Sequence, residues 1–170
     1  HKTDLGGVRV GLTAGEIGPA IDGLRERFPH ASMLIEEQVE GASAELIVGG
    51  IVDPSFGPAV MVGSGGILTE LVEDVSFRLA PCTAAEAHRM IAELLIAPLF
   101  RGYRGLRLDA GGLATTIETV SLLILDLGQR LERLDINPIV FAGGRWIALD
   151  AKIGLHLAGA SAIEREEENH

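Results

Sequence analysis

Cysteine is nearly absent from this 170-residue chain. The single one, Cys82, excludes an intramolecular disulfide and a cysteine metal cluster. Positive charge is scarce too. Lys and Arg number 14 against 24 Asp and Glu, a formal net charge of −10. Such a surface repels phosphate backbones and argues against general nucleic-acid binding. A single nucleotide is a different matter, because its site needs only a few local cations, backbone N–H groups and a metal. Long hydrophobic runs are missing: the stretch around "SLLILDL" is too short and too interrupted to span a bilayer. No signal peptide is visible and no internal repeat is evident. The expectation is a cytoplasmic protein without a membrane partner.

What is present reads as a folded domain. Apolar residues make up 47% and charged residues 22%, and the length suits one domain with a real core. The tail "EREEENH" reads as a solvated end with no fold of its own. The start, "HKTDLGGVRVGL", reads as the middle of a loop with no strand before it, so an upstream segment is expected.

Val8–Leu12 is a short strand candidate. Thr13 and Glu16 form a capping box S/T-x-x-E, so a helix is predicted to about Phe28, with Pro29 as its stop. "SMLIEEQV", "AELIVGGIV" and "AVMVGSGG" read as three strands of an antiparallel meander, the last two joined by the turn "DPSFGP". "ILTELVEDVSFRLAP" alternates and reads as extended with a bend. Thr83 and Glu86 form a second capping box, opening a helix through about Leu95. A loop at "RGYRG" follows. Asp109 is placed to cap a long helix ending at Gly128. Two strands, "RLDINPIVFA" and "RWIALDAKI", then meet at Gly143-Gly144, a hairpin signal. The order predicts an α+β fold with mostly antiparallel sheets and helices packed on them.

Chemistry concentrates in the last hairpin. Asp135 and Asn137 are two apart and share a strand face. The Gly-Gly turn returns the chain so that Asp150 lies near the level of Asn137. Two carboxylates and an amide oxygen form an all-oxygen set, the ligand type of Mg²⁺ or Mn²⁺. The same spacing also suits solvent-facing strand residues, with Asn-Pro as punctuation. At the other end, the glycines of "HKTDLGGV" allow close backbone approach to a ligand, and Lys2 can neutralise phosphate oxygens. The Walker spacing is absent, and a plain glycine turn fits equally well. Glu36, Glu37 and Glu45 sit beside apolar strands, either as exposed carboxylates or as partners for an adenine edge and ribose hydroxyls.

Taken together, "HKTDLGGV", "ELIVGGIVDPSFGPAVMVGSGGILTELVEDVSFRLAP", "RGYRG" and "LDINPIV...ALDAKI" resemble the ATP-grasp domain of ADP-forming acyl-CoA synthetases, from residue 1 to about Leu155. A more distant resemblance is to the beta subunit of succinyl-CoA synthetase. The resemblance implies two α+β subdomains clasping ATP between antiparallel sheets. It implies Mg²⁺ (or Mn²⁺) on Asn137 and Asp150, with Asp135 as the acidic residue before them. It puts Glu36 and Val39 at the adenine hinge, Glu45 at the ribose, and His1, Lys2 and Thr3 on the phosphate loop, with His1 relaying a phosphoryl group. It divides the chain into a partial ATP-grasp domain at 1–155, lacking its N-terminal portion and that portion's phosphate-contacting lysine, and a polar tail at 156–170.

The implied reaction joins a carboxylic acid to CoA with ATP, through acyl phosphate and phosphohistidine, releasing ADP and phosphate. The expected partners are ATP and the CoA-binding and ligase domains, or a subunit, carrying the main phosphohistidine. Without the upstream strand, weak or absent ATP binding and an apolar face favouring a homo-oligomer are expected. The alternatives are a regulatory or degenerate synthetase-like module fused to an acetyltransferase, another ATP-grasp carboxylate ligase, and a purely structural or interaction domain.

Overall fold

Reciprocal caps start two of the helices. The Thr13 backbone N–H and hydroxyl both donate to Glu16 Oε2, at 2.9 and 2.7 Å, and Thr83 treats Glu86 in the same way, at 2.9 and 2.8 Å. Each bond satisfies groups that a helix end would otherwise leave to solvent. The computed structural model describes residues 6–65 and 74–156. The chain falls into two units, His1–Glu40 and Gly41–His170.

The first unit contains α1 (Ala14–Arg27), which ends at the Phe28 cap. No residue of α1 is buried. The strands predicted at Val8–Leu12 and at "SMLIEEQV" do not form, and both segments are irregular. A strand needs a hydrogen-bonded neighbour as well as apolar alternation, and the described residues of this unit contain none. Val8, Leu12, Ile17, Ile21 and Met33 instead line a groove of about 550 Å³.

The second unit is built on a sheet. Its described strands are β1 (Ala44–Asp53), β2 (Gly57–Ser64), β3 (Val75–Leu79), β4 (Leu131–Ala142), β5 (Arg145–Ala148) and β6 (Ala151–Leu155). They run in the order β3-β2-β1-β4-β5, with β6 also on β4, and every pairing is antiparallel. The β1–β2 turn is held by Asp53 Oδ1, which accepts from the N–H groups of Ser55 and Phe56 at 2.8 and 2.9 Å. The segment predicted to be extended with a bend lies partly at 66–73, outside the described residues, and its second half is β3. The single second arm predicted for the last hairpin is two strands, interrupted at Leu149 and Asp150.

The described residues of this unit also form three α-helices, α2 (Ala84–Glu93), the one-turn α3 (Ala97–Phe100) and α4 (Ala110–Leu127), the last followed by a 3-10 turn at Gly128–Arg130. Asp109 stands before α4 without a side-chain cap bond, and Gly128 ends it at φ +51°. The stripe Leu113, Ala114, Ile117, Val120, Ser121, Ile124 is buried, the spacing of one helix face. It packs with Ala87, Met90 and Ile91 of α2 against Leu46, Val48, Val60, Val62, Leu134 and Ile139 of the sheet. By length and composition alone Ala110–Arg130 is apolar enough to cross a membrane, a length that the short run "SLLILDL" does not convey. Its stripe serves the core, where each fully buried Leu or Ile contributes about 1.5–3 kcal/mol.

Alternation along the strands leaves the opposite sheet face for other work. β1 sends Leu46 and Val48 into the core, so Glu45, Ile47, Gly49 and Ile51 point the other way. The exposed Phe77 and Leu79 on the edge strand β3, with Ile51 on β1, make part of that face apolar.

Candidate functional site

Leu134 and Ile136 of β4 belong to the core or pack against it, so Arg133, Asp135 and Asn137 project from the opposite face. Asp135 stands directly across from Gly49 of β1 on one side and Lys152 of β6 on the other. A side chain at Gly49 would put its Cβ 2.6 Å from the Leu134 carbonyl oxygen. Only glycine lets the two backbones approach this closely beside Asp135.

The register then shifts. Leu46 pairs with Ile139 and Val48 with Ile136, so Asn137 and Pro138 together oppose the single residue Ile47. This bulge carries the chain from one core residue, Ile136, to the next, Ile139, and turns Asn137 outward, where it is exposed. The returning strand meets it squarely. The Asn137 N–H donates to the Asp150 carbonyl at 3.0 Å, and the Leu149 N–H donates to the Pro138 carbonyl at 2.9 Å. Asn137 and Asp150 are thus cross-strand partners, and such partners share a sheet face.

The hairpin that sets this register turns as the sequence predicts. Gly143 and Gly144 take φ +57° and +78°, the left-handed pair that a two-residue hairpin loop requires. Trp146 anchors it. Its ring packs on Phe141 and Phe100, with centroids 5.1 and 6.3 Å away, and its indole N–H donates to the Asp109 carbonyl at 2.8 Å. The hairpin is thereby tied to the start of α4.

Asp135, Asn137, Asp150 and Glu45 therefore lie on one sheet face, as two carboxylates and an amide around one cross-strand pair plus a carboxylate on β1. Among the described residues no group of three or more His, Cys, Asp or Glu has the spacing of a metal site, so a cation held here would need the Asn137 amide oxygen beside the carboxylates. Hard oxygen donors of this kind fit Mg²⁺ or Mn²⁺ with several waters retained. Glu36 is exposed on the rim of the groove in the first unit; Val39 is half-buried but does not line that groove. His1, Lys2 and Thr3 lie outside the described residues. A shallower hollow of about 380 Å³, lined by Phe100, Arg107, Asp109 and Phe141, holds none of the predicted site residues.

One charged neighbour was not singled out from the sequence. The Lys152 ammonium lies 3.5 Å from Asp150 Oδ2, with the two side chains 70% and 54% exposed. Its signal was its parity: it stands two residues after Asp150, in "LDAKI", which puts both on one face of an extended chain.

Residues 1–155 match the ATP-grasp domain family, and the chain belongs to it. Within that family its relatives are CoA ligases. The chain is 39% identical over 153 residues to "Acetate--CoA ligase [ADP-forming] I" of Archaeoglobus fulgidus, covering 85% of this chain and 22% of that protein. It is 38% identical over 161 residues to "Acetate--CoA ligase [ADP-forming] I subunit beta" of Pyrococcus furiosus, covering 90% of this chain and 69% of that subunit. Among solved structures it resembles the "dinucleotide forming Acetyl-coenzyme A synthetase 1" of Ca. Korarchaeum cryptofilum, in complex with coenzyme A and Mg-AMPPCP. The TM-score is 0.73 at 31% identity, covering 92% of this chain and 71% of that one. In that structure the phosphohistidine segment points towards the nucleotide-binding site. The chain thus spans about a quarter or less of the length of the first curated relatives it matches.

Proposed function

We propose that this chain is the nucleotide-handling part of an ADP-forming acyl-CoA synthetase, which joins a carboxylic acid to CoA at the expense of ATP through acyl phosphate and phosphohistidine. The observation that carries the reading is the register of Asn137 against Asp150, closed by the 3.0 Å backbone bond, in a chain that belongs to the ATP-grasp family. Asn137, Asp150 and Asp135 are the residues that would hold Mg²⁺. The ion, when bound, offsets the negative charge of the phosphates and favours loss of the terminal phosphoryl group.

The chain's own residues do the rest. Glu45 accepts from the ribose hydroxyls, and Glu36 and Val39 border the adenine. Lys2 and Thr3 hold phosphate oxygens through charge and hydrogen bonding. His1 takes the transferred phosphoryl group, since a neutral imidazole is a competent nucleophile near pH 7. The CoA site and the main phosphohistidine belong to partner domains or a partner subunit, and the setting is cytoplasmic.

The test is ADP release from MgATP by this chain together with the domains that carry the CoA site. The expected result is turnover that requires both a carboxylic acid and CoA. ATP hydrolysis indifferent to both would overturn the assignment.

A further inference from the structure

The lysine on the proposed metal face has two carboxylate neighbours, one on β4 and one in the break between β5 and β6. Lys152 is the direct cross-strand partner of Asp135, and its ammonium sits 3.5 Å from Asp150 Oδ2. It therefore stands between the two charged members of the proposed ligand set. Among the described residues, the other charged residues of this face's parity are Arg133 on β4, Glu45 and Asp53 on β1 and Arg145 on β5, and Glu132 lies against Gly154 of β6. The Lys152 side chain is 70% exposed, so nothing packs it in place. A lysine of this kind is a compact point charge on a flexible stem and can change partners without moving the backbone.

We infer that Lys152 is an exchangeable counter-ion of this site: it neutralises Asp150 when no metal is bound, and moves to a phosphate oxygen of the nucleotide when a divalent cation takes the carboxylate. The inference rests on the nucleotide reading above. A cation on Asp150 repels the ammonium, and the same event brings polyphosphate oxygens to the face. The lysine loses one anion and gains another within the sweep of its stem. Two opposite effects follow. Lys152 competes with metal that arrives alone, and it helps metal that arrives with nucleotide. A lysine that only stabilised the strand would shift both in the same direction or neither.

The experiment follows free Mn²⁺ by electron paramagnetic resonance, first with Mn²⁺ alone and then with Mn²⁺ and ADP. It uses the wild-type chain, Lys152→Met, Lys152→Arg and Asp150→Asn. Lys152→Met is expected to bind Mn²⁺ alone roughly fivefold more tightly, the factor that one unit charge at about 4 Å carries in water. It is expected to bind Mn²⁺–ADP more weakly by a similar factor, and Lys152→Arg is expected to restore nucleotide affinity. Equal affinities in wild type and Lys152→Met, or a parallel fall in both titrations, overturn the counter-ion role. If that happens while Asp150→Asn still abolishes binding, the nucleotide reading stands and only the lysine inference falls. A wild-type chain that binds neither Mn²⁺ nor Mn²⁺–ADP even when joined to its upstream portion and the partner domains overturns both.

Discussion

Replacing Asp150 by alanine separates the fold from the chemistry. The backbone bonds that seat this residue, Asn137 N–H to the Asp150 carbonyl at 3.0 Å and Leu149 N–H to the Pro138 carbonyl at 2.9 Å, do not involve its side chain. The carboxylate's own contact is the 3.5 Å pair with Lys152, between side chains 54% and 70% exposed. Exposed pairs of this kind contribute about 0–1 kcal/mol. Losing the carboxylate also removes its repulsion with Asp135, which offsets part of that. A change of 1 kcal/mol moves Tm by roughly 2–4 °C in a domain of this size, so the nucleotide-free melting curve should shift by no more than about 4 °C. The chemical cost is of another order. A single preorganised electrostatic contact to the developing charge is commonly worth about 10²–10³ in turnover, and acid-dependent ADP release should fall by at least that much. The assays are a melting curve without nucleotide and ADP release with Mg²⁺. Turnover at the wild-type rate would refute Asp150 as a ligand. A variant that fails to fold would refute the claim that the strand holds its place without the carboxylate.

Trp146→Phe removes the 2.8 Å bond to the Asp109 carbonyl and trims the ring that packs on Phe141 and Phe100. The expected loss is about 0.5–1.5 kcal/mol by urea titration, and a loss above about 3 kcal/mol would mean that the indole does more than anchor the hairpin. Glu93 should contribute to acid sensitivity. The Arg78 guanidinium, and then the Ser76 hydroxyl, hold its carboxyl below the ordinary value of 4.5. A depressed folded pKa stabilises at pH above the ordinary value, and the contribution disappears as pH falls from there through the folded value. Glu93→Gln should therefore melt below wild type at pH 7, and the difference should shrink progressively as pH falls below 4.5. A gap that persists at the acid end would point to packing instead of charge.

The sheet and helices of the second unit were legible because their signals are local. The capping box at Thr83 and Glu86, the glycine stop at Gly128 and a Gly-Gly turn with both φ angles positive each specify geometry within a few residues. The first unit was misread at "SMLIEEQV" because its apolar alternation carries no information on whether a neighbouring strand exists, and a strand is defined by that neighbour. The break of the last arm into β5 and β6 was invisible for a related reason. It follows from the bulge at Asn137 and Pro138, and a register shift depends on two strands at once. The site itself was legible in part. Parity along β4 put Asp135 and Asn137 on one face, and the turn put Asp150 opposite Asn137. The same parity argument applied to "LDAKI" would have brought in Lys152. Trp146 was missed because its role depends on Phe100, Phe141 and the Asp109 carbonyl, which are distant along the chain.

The central claim is that the face carrying Asp135, Asn137 and Asp150 holds a metal–nucleotide complex. Paramagnetic broadening of backbone amide signals by Mn²⁺–ADP tests it most directly, because the effect falls off steeply with distance and reads weak binding as well as tight. The predicted result is selective loss of the signals from Asp135 to Asn137 and from Asp150 to Lys152, abolished by Asp150→Asn. Broadening confined to other acidic stretches, such as Glu36 and Glu37, or unchanged by Asp150→Asn, would contradict it.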